Sequence, residues 1–174
     1  QARNLLEELN MSSPLYNKIL AVDGDSMTAS GDVAKWVDII ASRMNMTLQN
    51  VAAGGGTITA ESSSSHWICR TFENLRVDAD YVILQGGAND VAQKVPLGSI
   101  SNGYEATLDD TTFCGAMESL CKKLYTKFHG KKVGFIMRHK ASTSGYTSID
   151  TSDSYYHKQK DMNFSLSVIL RKSK

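Results

Sequence analysis

Short apolar runs alternate with amphipathic stretches along this chain, and the alternation predicts its fold. Five apolar runs have the length and composition of strands: Lys18–Val22, Thr47–Ala52, Tyr81–Leu84, Val133–Met137 and Phe164–Leu170. Two long stretches between them repeat apolar residues at helical spacing: 32–44 and 113–128. Because strands that alternate with helices pair in parallel, the pattern predicts an α/β fold.

Weaker signals complete the predicted order of elements. Shorter helices are expected at Trp67–Phe72 and Ser154–Met162, and a polar loop at Val91–Asp110. Residues 1–16 read as an N-terminal helix or as the remnant of a linker, and residues 17–174 as one domain.

The predicted architecture is a three-layer α/β/α sandwich with a five-stranded parallel sheet in flavodoxin-like order. Right-handed crossovers and short connections leave few other arrangements for five such strands. In open sheets of this kind, ligands bind at the carboxyl ends of the strands. The chemistry is therefore expected where the first three strands end.

Composition excludes several classes of protein. With 174 residues, 41% hydrophobic and 21% charged, the chain is typical of one globular domain. It contains no run of about 18 apolar residues, so we predict no membrane span. The net charge of +1, with no broad basic stripe, argues against nucleic acid as a partner. Three cysteines without a CxxC pair argue against a zinc knuckle or a disulfide framework.

The first candidate group for chemistry is Ser26, directly after the first strand in Asp23-Gly24-Asp25-Ser26. A serine in a strand-to-helix turn lies at the ligand-binding edge, where a helix N-terminus beneath it stabilises developing negative charge. The same residues are also an ordinary turn followed by a helix cap. This motif alone is weak.

Two further motifs follow the second and third strands. Asn50 is followed by the three consecutive glycines Gly54, Gly55 and Gly56, which let backbone N–H groups approach a ligand closely. A dinucleotide-binding reading fails because the G-x-G-x-x-G spacing breaks at Thr59. After the third strand, Gly87-Ala88-Asn89-Asp90 presents an amide donor suited to an oxyanion.

Taken together, these motifs resemble the first three sequence blocks of the SGNH/GDSL hydrolase family, over about residues 18–138. The resemblance implies that Ser26 is the nucleophile. It implies an oxyanion hole formed by the N–H groups of Ser26 and Gly55 and by the Asn89 side chain. Gly54 is an alternative to Gly55, because the adjacent glycines leave the register open by one residue.

The family's Asp-x-x-His block, which supplies the base and its orienting carboxylate, is absent from this sequence. We interpret the absence as truncation before that block, with a degenerate C-terminus as the alternative. Of the four histidines, His139 and His157 are weak candidates for the base. His66 reads as a polar-loop residue and His129 as a cation at a helix end.

The expected function is hydrolysis of carboxylic esters through a serine acyl-enzyme, without a metal or another cofactor. Family members act on acyl groups of lipids, sugars and small-molecule alcohols, so the expected partner is an ester substrate of one of these kinds. The alternative is a non-catalytic binding module with the same fold, for example one that recognises a glycan. Compartment and oligomeric state cannot be read from this sequence.

Overall fold

The computed structural model of this protein describes residues 7–8, 10–101 and 107–137. Within them the chain forms four strands: β1 Ile19–Asp23, β2 Thr47–Asn50, β3 Tyr81–Gly86 and β4 Lys132–Met137. The strands lie in the order β2-β1-β3-β4, and every neighbouring pair is parallel. The predicted α/β fold with a parallel sheet is thereby confirmed.

The sheet differs from the prediction in its number of strands. The described residues contain four strands, whereas five were predicted. The predicted fifth strand, Phe164–Leu170, lies outside the described residues. The third strand is two residues longer than predicted, because Gln85 and Gly86 continue the pairing with β4. A run of apolar residues does not indicate this extension, because glutamine is polar and glycine has no side chain.

Four helices connect the described strands: α1 Trp36–Arg43, α2 Ile68–Thr71, α3 Ala88–Ala92 and α4 Phe113–Lys127. A 3₁₀ turn, Phe72–Asn74, follows α2. The strongest predicted helix is present as α4, whose first turn is capped by the Thr112 hydroxyl, which accepts the Gly115 N–H at 3.2 Å. The helix predicted from residue 32 begins later, at Trp36, where the Asp38 carboxylate accepts the Lys35 N–H at 2.8 Å.

Apolar side chains pack against both faces of β1, because successive residues of a strand point in opposite directions. Leu20 and Val22 join Val37 of α1 in the smaller apolar cluster. Ala21 joins the larger cluster, which includes residues of α2, α4 and the segment between β2 and α2. The sheet is therefore held from both faces. The carboxyl ends of β1, β2 and β3 meet at one edge.

No helix in the described ranges is both long enough and apolar enough to cross a membrane.

Candidate active site

Ser26 is an exposed residue on a tight turn directly after β1. The Asp25 carbonyl accepts the N–H groups of Thr28 at 2.9 Å and Ala29 at 2.8 Å. The Asp25 carboxylate accepts the Met27 N–H at 2.9 Å. The expectation of a helix N-terminus beneath Ser26 is wrong, because the next helix begins at Trp36. This turn is stabilised by local hydrogen bonds and not by a helix.

The end of β3 anchors the same turn. Asp25 is only 1% exposed, and the Gln85 side-chain amide donates to its carboxylate at 3.0 Å. The carbonyl oxygen of that amide accepts the Thr28 hydroxyl at 3.0 Å. At Gly24 a side chain is excluded, since a Cβ there would lie 2.9 Å from the Gln85 backbone oxygen. Gln85 thus ties the turn that carries Ser26 to the strand that precedes Asn89.

The glycine loop after β2, residues Gly54–Gly56, lies beside this turn. The Ala53 N–H donates to the Gly24 carbonyl at 3.1 Å, and the Gly56 N–H donates to the Ala53 carbonyl at 3.1 Å. Gly55 has a φ of +76°, a conformation that L side chains rarely adopt. Around Gly54 and Gly55 there is open space, with nothing within 4 Å of an added Cβ.

Backbone donors remain available around this open space. Among the described residues, the N–H groups of Ser26, Gly54 and Gly55 have no hydrogen-bond acceptor. Gly56 differs, because its N–H is already bonded within the loop. The exposed donors of the loop therefore belong to Gly54 and Gly55, the two positions left open by the sequence.

Asn89 lies in the first turn of α3 and reaches back to the glycine loop. Its side-chain amide donates to the Gly56 carbonyl at 2.9 Å. Gly87, with a φ of +106°, makes the sharp turn between β3 and α3. Hydrogen bonds thus connect all three predicted motifs: Gly24 to Ala53, and Gly56 to Asn89.

Asp90 tethers the chain just beyond the glycine loop. Its fully buried carboxylate accepts the Ile58 and Thr59 N–H groups at 2.9 Å each and the Thr59 hydroxyl at 2.6 Å. Burial raises the pKa of the Asp90 carboxyl, while the hydrogen bonds from Thr59 and Ile58 oppose that rise. Asp90 thus attaches α3 to the segment that follows Gly56.

Asp23 and His66 form a buried pair that the sequence motifs did not indicate. The His66 Nε2 lies 2.6 Å from Oδ1 of Asp23, whose side chain is fully buried. The other carboxylate oxygen accepts the Thr71 hydroxyl at 2.7 Å. A signal was present in the sequence, because Asp23 closes an apolar strand where a charge needs a partner. The position of that partner, 43 residues away, could not be read from the sequence.

Of the other three histidines, only His129 lies in the described part of the chain. His129 lies just after α4 and is exposed, with its ring 5.5 Å from the Tyr125 ring in an edge-on contact. Both His139 and His157 lie outside the described residues. Within residues 7–8, 10–101 and 107–137, no group of three or more His, Cys, Asp or Glu side chains is placed to hold a metal ion.

The sequence matches no protein-family model and no curated protein. The fold, however, is similar to that of several solved structures. A protein from Lactobacillus plantarum superposes with a TM-score of 0.67 at 25% identity, over 91% of this chain and 74% of that one. A putative GDSL-like lipase from Bacteroides ovatus has a TM-score of 0.60 at 17% identity, over 90% of this chain and 82% of that one.

A more distant neighbour is a family two carbohydrate esterase from Clostridium thermocellum, solved in complex with cellohexaose. Its TM-score is 0.52 at 10% identity, over 91% of this chain and 51% of that one. At such identities the likeness concerns the fold. The chain has an SGNH/GDSL-type fold, as the sequence motifs implied.

Proposed function

We propose that this protein hydrolyses carboxylic esters through an acyl-enzyme formed on Ser26. The observation that carries the proposal is the hydrogen-bonded connection of the three loops at one edge of the sheet: Gly24 to Ala53, and Gly56 to Asn89. The likeness in fold to GDSL-like lipases and a carbohydrate esterase supports the same reaction class.

In this proposal the Ser26 hydroxyl attacks the ester carbonyl while a general base takes its proton. The tetrahedral intermediate collapses to an acyl-enzyme and releases the alcohol, which takes up the proton from the base. Water then attacks the acyl group, releases the carboxylic acid and restores Ser26. The base is not among the residues we assign, since the sequence holds no Asp-x-x-His block.

Three donors would stabilise the oxyanion of each tetrahedral intermediate. Ser26 and Gly55 are exposed residues, and their N–H groups have no acceptor among the described residues. Asn89 uses one N–H of its side-chain amide to hold the Gly56 carbonyl, and an amide has two. The second N–H is therefore oriented by the first and available to the substrate.

Gly55 is favoured over Gly54 as the loop's donor. Its positive φ is a conformation that glycine adopts readily and other residues rarely adopt, so the backbone itself requires glycine at this exposed position. The Gly54 N–H is equally free of acceptors among the described residues, so the assignment rests on this conformation.

The proposed domain continues the observed strand order. The order β2-β1-β3-β4 is that of the first four strands in flavodoxin-like sheets. We propose that Phe164–Leu170 adds a fifth strand beside β4 and that helices cover both faces in three layers, within a domain spanning residues 17–174.

The proposed substrates are esters of lipids, sugars or small-molecule alcohols. The decisive experiment measures hydrolysis of nitrophenyl esters of increasing chain length and of acetylated oligosaccharides by the protein and by its Ser26→Ala variant. Ser65→Ala, at another exposed serine, is the matched control. We expect hydrolysis to be lost only in Ser26→Ala, and a fluorophosphonate to label the peptide that contains Ser26.

Hydrolysis that survives Ser26→Ala would refute the proposal. Binding of oligosaccharides without hydrolysis, measured by calorimetry, would instead support the binding-module alternative.

A further inference from the structure

We infer that Asp23 and His66 form a positioning pair, which sets the glycine loop against the turn that carries Ser26. The inference deepens the proposed function and rests on it for its catalytic consequence. Neither residue is among the site residues that the resemblance to the SGNH/GDSL family implies. The pair acts by fixing the positions of both loops, through contacts with residues of each.

The Asp23 carboxylate is held by three donors although it is fully buried. Oδ1 accepts the Gly24 N–H at 2.7 Å and lies 2.6 Å from His66 Nε2, while Oδ2 accepts the Thr71 hydroxyl at 2.7 Å. In the proposed pair the carboxylate accepts and Nε2 of the ring donates, which is the only arrangement open to an ionised carboxylate. Because a buried charge is costly unless it is hydrogen-bonded, these contacts restrict where the His66 ring can lie.

The His66 ring touches the glycine loop directly. A Cβ added at Gly56 would lie 2.9 Å from Cδ2 of the ring, which is closer than real Cβ contacts. The backbone of His66 also holds the loop, because its carbonyl accepts the Thr57 N–H at 3.0 Å. The ring therefore forms a wall against which Gly56 packs, and glycine is required for the close approach.

Gly56 connects the His66 ring to the proposed oxyanion hole. Its carbonyl accepts the Asn89 amide at 2.9 Å, and its neighbour Gly55 carries a proposed donor. The same Asp23 that holds the ring also bonds the N–H of Gly24, which leads to Ser26. One buried carboxylate thus fixes the nucleophile turn on one side and the donor loop on the other. A misplacement of about 1 Å can cost about 100-fold in rate.

The kinetic test compares three variants of the full chain. His66→Leu keeps the volume but removes the donor, and we expect kcat to fall about 100-fold with little change in KM. His66→Gln should recover most of the activity, because its amide nitrogen can reach the place of Nε2. His129→Leu makes the same exchange at an exposed histidine whose ring contacts Tyr125, and should leave kcat within about threefold of the wild type.

A second readout does not depend on activity. In His66→Leu, the NMR amide signals of Gly55, Gly56 and the Asn89 side chain should shift, and in His129→Leu they should stay close to their wild-type positions. If His66→Leu does not fold, Asp23→Asn is measured instead, and the same shifts are expected. Unmoved signals, or equal shifts in His129→Leu, would overturn the inference.

The two proposals fail in different ways. A wild-type protein without Ser26-dependent hydrolysis would refute the esterase, while the amide signals would still decide the positioning role. An active enzyme whose kcat and amide signals ignore His66→Leu would refute the positioning pair alone.

Discussion

The Asn89 side-chain amide donates a hydrogen bond of 2.9 Å to the backbone carbonyl of Gly56. Asn89 follows β3, and Gly56 lies in the loop after β2, so the bond crosses the carboxyl edge of the sheet above β1. It fixes the orientation of the amide, because an amide anchored through one N–H has little freedom to turn the other. The proposed oxyanion donor is thereby oriented before any substrate binds.

Replacement of Asn89 tests this role directly. In Asn89→Ala we expect kcat to fall about 100- to 1000-fold with little change in the melting temperature, as for other single oxyanion donors. Steady-state kinetics with the best ester substrate and thermal unfolding measure the two quantities. Gln93→Ala, one turn further along the chain, serves as the control. Unchanged turnover in Asn89→Ala would remove the residue from the proposed site.

The adjacent glycines Gly54 and Gly55 form a matched pair for a second prediction. Only Gly55 has a positive φ, and neither has an atom within 4 Å of an added Cβ. Gly55→Ala should lower the free energy of unfolding by about 1–2 kcal/mol through backbone strain alone. Gly54→Ala should change it by less than about 0.5 kcal/mol.

Chemical denaturation of both glycine variants gives the comparison. If Gly55→Ala relaxes its backbone to relieve the strain, its N–H turns away and kcat falls as well. Equal stability of the two variants would contradict the left-handed conformation of Gly55.

The buried contact of Gln85 with Asp25 leads to a third prediction. Gln85→Leu preserves the volume but deprives the Asp25 carboxylate of its side-chain donor, which is 3.0 Å away. Leaving a buried acceptor unsatisfied costs about 1–3 kcal/mol, and we expect the free energy of unfolding to fall by that amount. Fluorophosphonate labelling of Ser26 should slow in parallel, since the turn loses its anchor.

The control is Gln93→Leu, because the side-chain amide oxygen of Gln93 accepts its hydrogen bonds from Ser63, an exposed residue. An equal loss of stability in both glutamine variants would show that the buried contact has no special weight.

The raised pKa of Asp90 gives a prediction about pH. In the unfolded chain the carboxyl titrates near its ordinary value of 3.8, and in the folded protein it titrates at higher pH. Between the two pKa values the folded state binds more protons, so this group's contribution to stability is lost as pH rises through that window. Asp90→Asn, which does not titrate, should lack this component.

Urea unfolding of the wild type and Asp90→Asn, at a series of pH values from 3.8 upward, measures the difference. A second variant, Thr59→Val, removes the hydroxyl that stabilises the ionised form and should extend the loss to higher pH. Parallel pH profiles for the wild type and Asp90→Asn would contradict the raised pKa.

The sheet and the strongest helix were predictable because their signals are local. Predominantly apolar runs of four or five residues mark β1, β3 and β4, and helical spacing of apolar residues marks α4. The start of α1 was not predictable from spacing, since Val33 has a suitable position but is 72% exposed. The Lys35–Asp38 contact, a local hydrogen bond, decided where that helix begins.

The sequence by itself determined the parallel α/β fold and the positions of three motifs at strand ends, because periodicity and order along the chain are sufficient for both. Only the tertiary structure decided what holds those motifs together. The partners Asp23 and His66 are 43 residues apart, and Asp25 and Gln85 are 60 apart. No local pattern encodes such pairs. A buried polar group must find a partner, and which group is near enough is settled only when the strands pack side by side.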